Sequence, residues 1–164
     1  MARLDPETGR ATDWEYDIPP DEGGKRWHVI AVSPGDYVIM SVGVAQRSAT
    51  WSVCNASETY RYRIAENEAV YLGEIDPTRN LLELSRQVAA EGRTRAAAGA
   101  FLFVHQNISA PGVPNEAPSE QELASAQAAL LARKPEAPSN INWRQGAPAT
   151  FSNPDGLRLV SCGG

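Results

Sequence analysis

A mostly β fold, an antiparallel β-sandwich carrying one C-terminal helix, is what this sequence predicts, and three features predict it. Tyr60, Tyr62 and Ile64 alternate strictly with Arg61 and Arg63, the period-two pattern of a strand with one buried and one wet face. Apolar segments of strand length recur about every ten residues from 26 to 76, separated by short polar turns, as in a sandwich. A capped helical pattern occurs late, from Ser119 to Lys134. Thirteen glycines and twelve prolines in 164 residues punctuate the whole chain, which suits many short elements. The length is that of one domain with a single sizeable core.

Residues 1–25 read as an N-terminal arm, with turn formers at Asp5-Pro6, Thr8-Gly9 and 19–24. Within it Trp14, Tyr16 and Ile18 alternate and would anchor a short edge strand or a draped segment. The sandwich domain with its late helix follows at 26–134. Its opening hairpin pairs 26–32 with 37–42 across the turn Ser33-Pro34-Gly35-Asp36. Further strands are expected at 49–54, 60–64 and 69–75, joined by the polar connections 55–58 and 65–68. Over 80–91, Leu82, Leu84 and Val88 suit a strand, while Leu81, Leu84 and Val88 behind Asn80 suit a helix; the strand is preferred. A loop at 92–98 leads to a buried strand at 100–105. Ser119 and Glu122 form a capping box, Leu123, Ala126, Leu130 and Leu131 lie toward one side of the helix, and Pro135 stops it. The remainder, 135–164, is an extended proline-containing tail in which Leu157, Leu159 and Val160 could add a strand before Cys162.

Charge excludes some functions. The chain carries a formal −5 and only two lysines, Lys25 and Lys134, which argues against nucleic acid as a partner. No apolar run approaches the ~18 residues needed to span a membrane, so membrane association would require lipidation upstream. The start, Met1-Ala2-Arg3-Leu4-Asp5-Pro6-Glu7, lacks the apolar stretch of a signal peptide. A periplasmic or cell-envelope location therefore assumes a removed leader, and a cytoplasmic one assumes that Met1 is the native start. Cys54 and Cys162 match no metal or redox spacing. Paired, they would staple the tail to the body; closing roughly 100 residues stabilises by about 4–5 kcal/mol on the chain-entropy argument and implies an oxidising compartment.

Few residues suggest chemistry. His28 and His105 are the two histidines, too few for a histidine metal site without carboxylates. Cys54 with His105 could form a nucleophile–base pair, yet Cys54 sits in Ser52-Val53-Cys54-Asn55 with no elbow or oxyanion turn. Glu66, Glu68, Glu74 and Asp76 cluster around one strand, whereas carboxylate catalysis needs two acids facing across a cleft. Gly43, Gly73 and Gly99 are isolated, so no phosphate-cradling motif and no cofactor is indicated. Asn55-Ala56-Ser57 and Asn107-Ile108-Ser109 match the glycosylation sequon. No catalytic or metal-binding residue is assigned. The candidate binding surface comprises Trp14, Trp51, Trp143, Arg61 and Arg63: tryptophans that could stack on a partner or fill the core, and two arginines sharing a strand face.

Two segments carry a family resemblance. Val-Ser-Pro-Gly-Asp-Tyr-Val-Ile at 32–39 resembles the turn of transthyretin-like and carboxypeptidase-regulatory-like sandwiches. Together with Tyr-Arg-Ile-Ala-Glu-Asn-Glu-Ala-Val-Tyr-Leu-Gly-Glu-Ile at 62–75 and the helix ending in Lys134-Pro135, it is similar to small bacterial envelope lipoproteins of unknown function. The resemblance spans 26–134 and implies a β-sandwich in the cell envelope, with no catalytic residues to carry over. The chain departs from it in lacking a leader with a lipidation cysteine. The expectation is a non-enzymatic protein that binds another protein or serves as a structural component. The alternatives are an accessory subunit of a larger surface or secretion assembly, and a small hydrolase or thiol enzyme.

Overall fold

Strand β1 (Ala2–Leu4) and strand β2 (Ala11–Trp14) form a hairpin whose turn is organised by Asp5. The Asp5 carboxylate accepts from the backbone N–H groups of Glu7 and Thr8 at 2.9 Å each. Gly9, at φ 67°, supplies the left-handed residue that closes the loop. The computed structural model describes residues 1–15, 27–46, 49–55, 59–75, 82, 86, 102–107 and 115–153; for 43–46, 49–54 and 102–107 the backbone alone is described.

Five strands make an antiparallel sheet in the order β10-β6-β3-β1-β2, where β3 is Gly35–Val38, β6 is Thr59–Ile64 and β10 is Ala147–Ala149. The segment expected as an arm thus contributes an inner strand, β1, and an edge strand, β2. Both are too short for period-two alternation to register in sequence, but their apolar residues Ala2, Leu4 and Ala11 are buried.

The expected hairpin of 26–32 with 37–42 does not form. Described residues 27–34 have no strand, and the strand begins at Gly35, inside the expected turn. Competition for backbone groups explains it. One edge of β3 pairs with β1 (Ala2↔Val38, Arg3↔Tyr37) and the other with β6 (Gly35↔Ile64 through Val38↔Arg61), leaving no edge for 27–32. Pro34, which lacks an N–H, marks where the strand can start.

The alternation in β6 predicted one wet face, and this holds only locally. Tyr62 is 1 % exposed and packs with Ile39, Tyr60, Val42, Leu72 and Ile75 on one face. On the opposite face Ala2, Leu4, Ala11, Val38, Met40 and Phe151 form a second cluster, flanked by Trp14 and Ala149. Register puts Arg61 in the same row as Val38 and Ala2, so that face is apolar at Ala2 and Val38 and charged where Asp36 meets Arg63 and Arg61 is exposed.

The other strands build two smaller sheets. Strand β4 (Ser41–Gln46) pairs antiparallel with β5 (Ala49–Cys54), and β8 (Leu102–Asn107) lies parallel to β5. Strand β7 (Ala69–Tyr71) runs parallel to β9 (Ile141–Trp143). The strands expected at 49–54 and 60–64 are present, the one at 69–75 is confined to 69–71, and the one at 100–105 appears at 102–107. Two pairings are parallel, which departs from an all-antiparallel expectation. Leu82 and Arg86, the described residues of the 80–91 segment, are helical rather than extended as preferred; Leu81, Leu84 and Val88 lie outside the described residues.

Helix α1 (Glu120–Arg133) begins and ends as its caps dictate. Ser119 Oγ accepts from the Glu122 N–H at 3.2 Å, and the Glu122 carboxylate accepts from the Ser119 N–H at 3.1 Å. Lys134 is the C-cap, ahead of Pro135. Ala126 is buried, and Leu123, Leu130 and Leu131 are half-buried beside it. The tail expected at 135–164 supplies β9 and β10 rather than remaining irregular throughout. Pro148 sits in β10, an edge strand, where a missing N–H is tolerated. The Asn115 amide locks the approach to β10, donating to Gly146 O at 2.9 Å and accepting from Gly146 N at 2.7 Å. The expected strand at 157–160 lies outside the described residues.

Candidate binding cleft

An irregularity in the β1–β2 ladder creates the site. Ala2 pairs with Trp14 and Arg3 with Thr12, so Asp13 is an extra residue, a β-bulge, with φ 40°. Aspartate is among the few non-glycine residues that tolerate this region, and bulges re-aim side chains next to functional sites. Beside the bulge opens a cleft of about 310 Å³. Arg3 from β1, Asp13 and Trp14 from β2, Glu15 just beyond it, Tyr37 from β3 and the 31–33 segment line it. The volume is at the small end of the range for ligand sites.

Hydrogen bonds fix two of the walls. Tyr37 is 3 % exposed and its hydroxyl donates to Ser33 O at 2.6 Å, tying β3 to the segment opposite. Arg3 donates through Nη2 to Pro34 O at 3.2 Å. Burial raises the Tyr37 phenol above its ordinary range; Arg3 opposes the shift, and the Asp13 and Glu15 carboxylates add to it. The Met1 α-amine donates to Glu15 O at 2.9 Å, and burial lowers its pKa to about 6 against the attraction of Glu15.

Of the residues singled out in sequence, Trp14 alone lines this cleft; it also packs on the core cluster of Val38 and Met40. Arg61 and Arg63 are exposed on β6, three strand spacings from β2, or about 14 Å. The Arg63 guanidinium is bidentate to Asp36, its register partner, at 3.1 Å for both bonds, so the anion it takes is internal. Trp143 is half-buried on β9, and Trp51 lies on β5 with its backbone alone described. Trp143 and Trp51 thus belong to strands of the two smaller sheets, and Trp14 and the two arginines to separate strands of the five-stranded one. Sequence reasoning missed Arg3, Asp13, Glu15 and Tyr37. The acid–aromatic–acid run Asp13-Trp14-Glu15 was visible, but the bulge that turns it into the cleft was not.

The remaining candidates are placed as follows. The Cys54–Cys162 pairing lies outside the described residues. In the β5–β8 ladder Cys54 is opposite Asn107 and His105 opposite Ser52. His28 is exposed in the 27–34 segment rather than in a strand. Glu68 is committed structurally: it accepts from the Ala65 N–H at 3.0 Å and pairs with Arg144, and these contacts hold its carboxyl below the usual carboxylate range, the Ala65 bond first. Asn55 is 3 % exposed and its amide nitrogen donates to Ile39 O at 3.2 Å, so the first sequon is engaged in the core. Among the described residues no three His, Cys, Asp or Glu side chains are grouped to hold a metal ion, and no helix is long and apolar enough to cross a membrane.

No family model, curated protein or solved structure matches the chain, so its functional reading rests on its own residues.

Proposed function

We propose that this chain is a non-enzymatic β-sandwich protein of the bacterial envelope that acts by binding another protein through the Asp13–Tyr37 cleft. The envelope location and the sandwich follow from the resemblance of residues 32–39 and 62–75; the five-stranded sheet with apolar clusters on both faces supports the layered architecture. The observation that carries the binding reading is the bulge at Asp13. It costs backbone strain and turns an acidic and aromatic segment of an edge strand toward a cleft whose opposite wall is pinned by Tyr37. An accessory subunit whose arms order only against neighbours fits less well, because Ala2 and Leu4 are buried within the single chain.

Nuclear magnetic resonance tests the reading. The ¹⁵N-labelled chain is titrated with hexapeptides of basic, neutral and acidic composition, and the Trp14 indole signal, assigned with Trp14→Phe, reports the cleft. Saturable shifts at Trp14 and Tyr37 with any of the peptides support the reading, and a cleft silent to all of them refutes it.

A further inference from the structure

Resting on that reading, we infer that the cleft selects a cation: the lysine or arginine side chain of a partner polypeptide, seated between the two carboxylates and the aromatic wall. Neither the Asp13 nor the Glu15 carboxylate makes a hydrogen bond or ion pair among the described residues. The cleft's one guanidinium, that of Arg3, is turned to the Pro34 carbonyl. Two acids therefore face one guanidinium that is already engaged, together with the buried Met1 α-amine, which is itself bonded to Glu15 O. Trp14 and Tyr37 add ring faces or edges, and a cation within ~6 Å of a ring centroid is attracted by its quadrupole. An acidic ligand would meet repulsion from both carboxylates. A neutral sugar would stack on Trp14 and leave both charges uncompensated. The chain's net −5 charge also steers a basic partner toward it.

Charge-neutral isosteres test this without disturbing the fold. Asn tolerates the left-handed backbone at position 13 at least as well as Asp, so Asp13→Asn keeps the bulge. A hexalysine peptide is titrated by calorimetry and by ¹⁵N shifts into the full chain, into Asp13→Asn/Glu15→Gln and into Glu66→Gln/Glu136→Gln. The last variant removes the same charge at exposed sites outside the cleft. Binding should map to Trp14 and Tyr37, weaken about tenfold or more in the cleft variant, stay within about twofold in the distal variant, and fall with added salt. Equal weakening in both variants means net charge rather than a site and overturns the inference. Shifts at the cleft with a hexaglutamate peptide or maltohexaose, but not with hexalysine, overturn the cationic assignment and leave the binding cleft standing. Silence of the cleft toward every probe overturns both.

Discussion

Removing one buried oxygen should stabilise this protein. Among the described residues the Tyr62 hydroxyl has no hydrogen-bond partner, and the residue is 1 % exposed. An unsatisfied buried donor costs about 1–3 kcal/mol, whereas the void left by one oxygen atom, on the order of 10 Å³, costs roughly 0.2 kcal/mol. Tyr62→Phe should therefore gain about 1–2 kcal/mol, a rise in Tm of roughly 2–8 °C for a chain of this size. The same burial, helped by Tyr60, pushes the Tyr62 pKa up to about 12 from an ordinary 10. A group whose folded pKa is raised contributes stability that is complete below the unfolded pKa and is lost as pH rises through the folded one. Wild type should thus lose up to roughly 2–3 kcal/mol between pH 10 and 12 that Tyr62→Phe does not lose, and the gap between them should widen over that window. Urea unfolding monitored by circular dichroism at pH 7, 10 and 11.5 measures both effects. A phenylalanine variant less stable than wild type by 1 kcal/mol at pH 7, or a gap that stays constant with pH, would show that the hydroxyl has a partner and refute the reasoning.

Gly146→Ala should destabilise by about 1–3 kcal/mol in thermal melts, because the new methyl group meets the Tyr60 Cβ and comes within 2.9 Å of the Tyr62 ring; an unchanged Tm would mean that β6 yields. The Asp36 carboxyl lies below its usual range, chiefly through the Arg63 hydrogen bonds with their charge assisting, and desolvation opposes the shift. Because its folded pKa is depressed, the stability from this pair is present above pH ~4 and lost as pH falls through the lowered value. Arg63 is 75 % exposed, so an Asp36→Asn/Arg63→Gln double-mutant cycle should give about 1 kcal/mol or less of coupling at pH 7 and none at pH 2. Ser119→Ala removes the N-cap and should cost about 1 kcal/mol. Faster amide exchange at Glu122, with β6 amides unchanged, would locate that loss at the helix start.

Helix α1 was legible because its signals are local. Ser119, Glu122 and Pro135 act within one turn of the residues they cap. Strand β6 was legible for a similar reason, since Tyr60, Tyr62 and Ile64 must share a face in any extended conformation. The hairpin around Pro34-Gly35 failed because apolar residues and a turn show that a strand is available but not which partner wins its edges. For β3 the winners are β1 and β6, drawn from 33 residues upstream and 24 downstream if first residues are compared. The cleft was illegible for the same reason. Arg3, Asp13 and Tyr37 meet through a two-against-one register between β1 and β2, and nothing in the local composition around Asp13 announces a bulge.

By itself, then, the sequence determined a mostly β chain with one capped helix, a modest acidic charge and no local catalytic motif, because these depend on periodicity, capping and composition. Tertiary structure decided the sheet order, the inner position of β1, the coupling of Arg63 to Asp36 and the gathering of Asp13, Trp14, Glu15 and Tyr37 around one cleft. Strand pairing joins residues far apart in the chain, and backbone hydrogen bonds are nearly alike for every side chain, so the choice among partners is made by the packing of the whole.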